Sequence, residues 1–337
     1  MKKYNIGILG ATGIVGLEYL KIFDLVNFPI NNIYFYASAK SVGATINFRG
    51  KDYGVIEATL DNIKDIDILF SSAGEAISKE LVPTLAKRGI VSIDNTNAFR
   101  MDEGVPLVVP EVNAEALRGH NNIIANPNCS TAQLVVALKP LHDAFRIKRV
   151  IVSTYQSVSG AGKDAVEDLT NQSKHYFDPA HNVPNRYLPY DIAFNLIPQI
   201  DSFADGDYTK EELKMVNETT KIMGEKIPLT ATCVRVPVYR CHSESVNIEF
   251  GKPVSAQQAK EVLFKAPGVK VVDDAAQKLY PMPRGSENSG DTFVGRIRVD
   301  NTVPHGLNMW VVSDNIWKGA AYNSIQIAQE MIKMGLI

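Results

Sequence analysis

Residues 4–16, "YNIGILGATGIVG", run a short apolar stretch straight into a turn bearing Gly10, Gly13 and Gly16, and then into a helical pattern. A buried strand that turns this sharply into a helix, with bare backbone at the turn, predicts the opening of a parallel α/β sheet. The segments that follow keep alternating. "NIYFYAS" and "DILFSSAG" read as strands, "SKELVPTLAKRG" as a helix stopped at Gly89, and "IVSID" and "NIIANPN" as two further strands. Strands separated by helices predict a parallel, doubly wound sheet.

The pattern changes at residue 129. "TAQLVVALKPLHDAF" is helical and "RVIVSTYQSVSG" is one long strand. "DAVEDLTNQSKHYF" and "KEELKMVNETTKIMG" are helical again. "ATCVRVPVYRCHSESVNIEF" alternates Val and Ile with polar residues, as antiparallel strands do. "TFVGRIRVD" and "LNMWVVSD" add strands, and the chain ends in an amphipathic helix, "GAAYNSIQIAQEMIKMG". With 337 residues, two domains are expected. The boundaries drawn here are 1–128 plus a returning C-terminal segment 314–337 for the nucleotide domain, and 129–313 for an α+β domain. The Pro-rich stretch "DPAHNVPNRYLPYDIAFNLIPQI" reads as one ordered excursion.

Composition excludes several classes. A net charge of −2 with no long basic cluster gives no pull toward nucleic acid or an anionic membrane. No apolar run approaches membrane-spanning length, and the N-terminal apolar run is too short for a signal peptide. Three cysteines, an odd number with no CxxC pair, predict neither a disulfide framework nor a structural zinc, and they fit a reducing cytoplasm.

Glycines at the first turn let the backbone approach a pyrophosphate, which the helix N-terminal amides then bind. This assigns Gly10, Thr12, Gly13, Ile14, Val15 and Gly16 to a dinucleotide. The second strand of an NAD site should end in an acid. Here "IYFYASAKSVG" offers Lys40 and Ser41 instead. A cation and hydroxyls suit a 2′-phosphate, so the expected cofactor is NADP; the bland reading is a solvated loop.

"ANPNCSTAQL" places Cys129 where a helix begins. Free amides at a helix start favour a thiolate, and with the Asn128 amide they could hold an oxyanion. Cys233 and Cys241 lie in strand-like text and read as buried filler. A nucleotide domain followed by a thiol nucleophile predicts one sequence of events. The thiolate adds to an aldehyde, hydride leaves, and phosphate cleaves the thioester. His242 has a suitable intrinsic pKa for a base. Arg235, amid Val and Pro, needs a buried partner such as a carboxylate. The seven-residue offset between them leaves open whether they share a face. Arg100 follows a strand of the first domain. Glu211 and Lys214, three apart on one helix, read by themselves as a surface ion pair.

Together "GATGIVG", "DNTNAFRM", "VPLVVPEVN", "NPNCST", "STYQSVSGAG", "EELKMVNET" and "CVRVPVYRCHS" closely resemble the aspartate-β-semialdehyde dehydrogenase family, in that family's order and over nearly the whole chain. The resemblance implies a Rossmann-type domain with an α+β catalytic and dimerisation domain. It implies reversible NADP-dependent conversion of L-aspartate 4-semialdehyde and phosphate to L-4-aspartyl phosphate. In cells this runs reductively, toward lysine, methionine, threonine and diaminopimelate. It makes Cys129 the nucleophile, His242 the acid/base group and Gln156 the residue that orients the substrate. Arg235 would hold the substrate carboxylate and Glu211 its ammonium, while Arg100 and Lys214 would bind phosphate. Ser159, Gly160 and Asn315 would lie beside the nicotinamide. Lys40–Ser41 stands where the family usually has Arg-Ser. No metal is implied, and a homodimer or homotetramer is. The nearest alternative, N-acetyl-γ-glutamyl-phosphate reductase, has a substrate without a free ammonium and a cysteine block that usually reads "NPGCYPT". Glyceraldehyde-phosphate dehydrogenase would carry an acid after the second strand and a "SCTTN" block.

Overall fold

Leu69 and Phe70 are consecutive and both fully buried, so the strand that carries them must be covered on both faces. In the computed structural model, which describes residues 2–183 and 186–337, this is so. Leu69 packs with Leu81 and Leu85 of helix α2 (Glu75–Lys87), and Phe70 with Tyr19 and Phe23 of helix α1 (Ile14–Leu25). Each such side chain withdrawn from water contributes roughly 1.5–3 kcal/mol.

Seven strands form this sheet: β1 (Tyr4–Leu9), β2 (Ile30–Ala37), β3 (Thr45–Phe48), β4 (Lys51–Glu57), β5 (Ile68–Ser71), β6 (Val91–Asp94) and β7 (Ile123–Ala125). Their order is β3-β4-β2-β1-β5-β6-β7. All ladders are parallel except β3–β4, an antiparallel hairpin on the edge that corrects the wholly parallel expectation. The hairpin turns at Arg49–Gly50, where both residues have positive φ. A one-turn helix α3 (Pro110–Asn113) follows the sheet's sixth strand. The last helix, α9 (Tyr322–Lys333), packs on α1 and β6 in the same unit, which comprises Met1–Asn128 and Ala320–Ile337.

The second unit, Cys129–Gly319, holds a six-stranded sheet of order β11-β12-β13-β10-β8-β9. Its strands are β8 (Ile147–Gln156), β9 (Leu229–Arg235), β10 (His242–Phe250), β11 (Val269–Val271), β12 (Thr292–Asp300) and β13 (Gly306–Ser313). Helices α4 (Cys129–Phe145), α6 (Lys210–Met223) and α7 (Ala256–Lys265) cover one face. Leu134, Leu138, Met215 and Leu263 meet Val150, Val152, Val246 and Ile248 there. Helix α5 (Lys163–Phe177) and the one-turn α8 (Pro283–Ser286) lie outside that core. The run containing β9 and β10 is not a hairpin: β8 sits between them, parallel to β9 and antiparallel to β10. Alternation reports a half-buried strand but not its neighbour. The Pro-rich excursion leads from α5 to α6; Pro184 and Asn185 within it lie outside the described residues. Among those residues no helix is long and apolar enough to cross a membrane.

Helix α6 starts at a capping box. Glu212 N donates to Thr209 Oγ1 at 3.3 Å, and Thr209 N donates to Glu212 Oε2 at 2.8 Å. Thr209→Ala is expected to cost about 1 kcal/mol, read as a lower urea midpoint by circular dichroism; an unchanged midpoint would show that the cap does not hold the helix.

Candidate active site

Register gathers the chemistry of the second unit at one end of its sheet. Gln156 ends β8 opposite Arg235, which ends β9, and His242 begins β10 opposite Ser313, which ends β13. The loop 236–241 carries the chain over β8, and so the odd offset between Arg235 and His242 is absorbed. Both side chains reach Gly160. A methyl group there would lie 3.0 Å from His242 Nε2 and 3.1 Å from Arg235 Nη1, a space that glycine alone leaves open.

Cys129 is the first residue of α4 and is partly exposed, whereas Ser130 and Thr131 behind it are buried. Helix dipole and first-turn amides therefore act on its sulfur. Gln156 Nε2 donates to Ser130 Oγ and, at 3.2 Å, to Glu211 Oε1. Lys214 Nζ donates to Glu211 Oε2 at 3.2 Å and to Asp201 Oδ2 at 2.8 Å, so the ion pair foreseen from spacing is present, but with Glu211 buried and not on the surface as expected. Burial alone would lower the Lys214 pKa, but Glu211 and Asp201 outweigh it and raise the value.

Arg235 is 5% exposed, and its Nη1 donates to the Ser157 carbonyl at 2.7 Å. Burial lowers its pKa, opposed by the nearby charges of Glu211 and the Cys129 sulfur. An arginine stays protonated under such conditions. It is thus a fixed cation beside both the thiol and an acid. His242 is fully buried, and its Nδ1 accepts from Ser157 N at 3.1 Å. Burial first, and then the Arg235 charge, hold its pKa well below the usual value, with the Cys241 carbonyl pulling the other way. Asn315 Oδ1 accepts from Cys241 N at 2.9 Å and from Ser157 Oγ at 3.2 Å; its Nδ2 donates to Ser159 Oγ at 3.1 Å. Cys233 and Cys241 are wholly buried, and burial pushes both thiols up, away from ionisation.

In the first unit, Gly10 has φ +85°, and a methyl group on Gly16 would lie 2.3 Å from the Gly10 carbonyl oxygen. Helix α1 opens on Gly13 with no side-chain cap, so the amides of Ile14, Val15 and Gly16 keep no side chain over them. Thr12 Oγ1 lies 3.5 Å from Ser41 Oγ, which brings the glycine turn and the turn after β2 together, with Lys40 exposed beside them. Arg100 is buried, its Nε donating to Asn126 O at 2.9 Å and its Nη2 to Asn95 O at 2.8 Å. Asn128 is buried and directly precedes Cys129.

Sequence reasoning missed Ser157, whose amide and carbonyl hold His242 and Arg235; backbone contacts leave no side-chain signature. It missed Asp201, which lies outside any motif, and Ser130, which stood inside the quoted cysteine block. It also missed Glu244, two residues beyond His242 and fully buried. Burial raises that carboxyl well above the usual range, opposed by the neighbouring Gln133 amide.

The NAD-binding domain model of the semialdehyde dehydrogenases matches residues 5–120, and their dimerisation-domain model matches residues 138–318. An aspartate-semialdehyde dehydrogenase of Aquifex aeolicus is 52% identical over 338 residues, covering 99% of both chains. That of Bacillus subtilis is 46% identical, again over 99% of both. The crystal structure of aspartate semialdehyde dehydrogenase II from Vibrio cholerae, complexed with ASA, superposes with a TM-score of 0.95 at 42% identity, covering 99% of each chain. The Candida albicans enzyme with NADP gives 0.77 at 26% identity over the full length of both.

Removing the cation beside the sulfur disfavours the thiolate. Arg235→Leu is expected to raise the pH midpoint of Cys129 alkylation by about one unit or more, measured as iodoacetamide rate against pH; an unmoved midpoint would take Arg235 out of thiol activation.

Proposed function

Because the chain belongs to the aspartate-semialdehyde dehydrogenase family, we propose that it interconverts L-4-aspartyl phosphate and L-aspartate 4-semialdehyde through a thioester on Cys129. The observation that carries this reading is a partly exposed thiol at the start of α4, with a buried guanidinium beside it and a buried acid one hydrogen bond from Gln156. A zwitterionic substrate needs both signs of charge. Arg235 takes the α-carboxylate and Glu211 the ammonium, while Gln156 holds the acyl group toward the sulfur. Lys214 and Arg100 take the phosphate. Asn128 and the first-turn amides stabilise charge on the carbonyl oxygen, and His242 is the acid/base group.

NADP fits the first unit. Its glycine turn lets a pyrophosphate approach bare amides, and Lys40 with Ser41 supplies a cation and a hydroxyl for the 2′-phosphate. Thr12 lines the same turn. Ser159, Gly160 and Asn315 are assigned to the nicotinamide. The bound reduced cofactor supplies hydride. The boundaries drawn from the sequence, 1–128 with 314–337 and 129–313, keep their outline, but the return to the first unit begins at Ala320 rather than at residue 314. The reading extends to a cytoplasmic homodimer or homotetramer and to the reductive direction in amino-acid biosynthesis.

Cys129→Ala should abolish phosphate-dependent NADP reduction by L-aspartate 4-semialdehyde while leaving NADP binding intact; appreciable turnover would refute the nucleophile. The intact enzyme should ignore the N-acetylglutamate semialdehyde, because Glu211 would face an amide that carries no charge. Equal rates with both substrates would favour the reductase alternative. Lys40→Ala should weaken NADP binding more than NAD binding by fluorescence titration, and equal loss would remove the 2′-phosphate role.

A further inference from the structure

The lysine assigned to phosphate is held by two acids. Lys214 Nζ donates to Glu211 Oε2 at 3.2 Å and to Asp201 Oδ2 at 2.8 Å. Two of its three N–H donors are therefore taken. Glu211 is buried and is committed to Gln156 as well. Asp201 differs: its side chain is 36% exposed and that of Lys214 19%, so their contact is reached from solvent. Burial would raise the Asp201 pKa, but the Lys214 hydrogen bond, the Ser202 amide and the charges of Lys214 and Lys210 outweigh it and lower the value. The carboxyl is an anion at neutral pH.

Both ends of the Asp201 loop are anchored on elements that carry the site. Ile197 and Arg235 exchange two backbone hydrogen bonds, at 3.0 and 2.8 Å. Lys210 N, in the first turn of α6, donates to Ser202 O at 2.9 Å. Between these anchors Asp201 has φ +69°, a left-handed conformation that Asp and Asn tolerate better than most side chains. Its Oδ1 accepts from Ser202 N at 2.7 Å, and its Oδ2 is left to Lys214. The loop thus presents a fixed carboxylate to the cation that an incoming anion would use.

Resting on the assignment of Lys214 to phosphate, we propose that Asp201 is an internal competitor for that lysine, which weakens phosphate binding and reclaims Nζ as phosphate leaves. A ligand's apparent affinity falls with the fraction of protein competent to bind it, and Nζ held on Asp201 is not free to serve phosphate fully. In the reductive direction the Cys129 sulfur forms a C–S bond to the acyl carbon. The C–O bond to phosphate breaks, its electron pair leaves with the phosphate, and the phosphate takes a proton from solvent. The same anion is the nucleophile of the reverse reaction. An acid that takes Lys214 back therefore favours loss of phosphate from the thioester site and opposes its return. Asp201 touches no reacting atom; it is a positioning residue that acts through Lys214.

Asp201→Asn tests this, because asparagine keeps the left-handed backbone and an oxygen for the Ser202 amide but loses the charge. The KM for phosphate in NADP reduction should fall about two- to fivefold, the worth of a part-exposed ion pair, with the KM for the semialdehyde and for NADP unchanged. Asp201→Gly, which also permits this φ, should show the same fall. A phosphate KM that stays or rises would overturn the inference, since an acid that merely orders Lys214 for phosphate predicts the opposite sign. A fall shared by all three constants would overturn it too, as a general loosening of the site. Phosphorus NMR titration of inorganic phosphate into the NADP-bound enzyme closes the cycle. Lys214→Met should weaken binding, and Asp201→Asn added to it should gain less than it does with the lysine present; an equal gain would show that the carboxylate does not act through Lys214. If Lys214→Met binds phosphate as the unaltered enzyme does, the phosphate assignment falls and takes the inference with it. If it binds less while Asp201→Asn changes nothing, the inference alone falls.

Discussion

A single guanidinium, buried and tied to the Ser157 carbonyl, organises the second unit's chemistry. Burying a cation is costly unless it is paired and hydrogen-bonded. Arg235 meets that cost with the Ser157 oxygen and with the negative charge of Glu211, and it acts in turn on Cys129 and His242. Its charge favours the Cys129 thiolate and, after burial, holds the His242 pKa down. One fixed charge thus acts on two neighbours in opposite senses, favouring ionisation of the thiol and opposing that of the imidazole.

The same segment of backbone holds both partners of that arrangement. Ser157 follows β8 directly; its amide faces His242 and its carbonyl faces Arg235. Asn315, just beyond β13, fastens the turn before His242 to the Ser157–Ser159 corner. Parallel pairing of β8 with β9 and antiparallel pairing of β8 with β10 bring the right ends of three strands together. The site is therefore a property of register, and a one-residue slip would turn Arg235 or His242 to the other face.

Much of this was legible in the sequence. Apolar runs and helical spacing located the strands and helices of the first unit, and the strand–glycine–helix opening carried its parallel character. The β3–β4 hairpin was not read, because "TINFRGKDYGVIE" is too polar to stand out beside the buried strands. The place of β9 was not legible either, since a strand's pattern records which face is buried and not which strand lies alongside. Cys129, Gln156, Arg235 and His242 stood in recognisable blocks, and the structure brings them to one end of a sheet. For Glu211 and Lys214 the local reading was an ion pair, which the structure contains; their further role rests on the family resemblance. Ser157, Asp201 and Glu244 act through backbone, distance and burial, none of which a residue type announces.

Two adjacent acids on α6 do unrelated jobs. Glu211 faces Gln156, while Glu212 closes the capping box and also accepts from Cys233 N at 3.1 Å. Each residue turns a helix by about 100°. The cap at Thr209 therefore resets the rotational phase of α6 whatever precedes it. Insertions or deletions ahead of Thr209 change only the length of a connection, whereas one inserted between Thr209 and Glu211 swings the acid away from Gln156. The tolerance of this chain to evolutionary lengthening should change abruptly at that threonine.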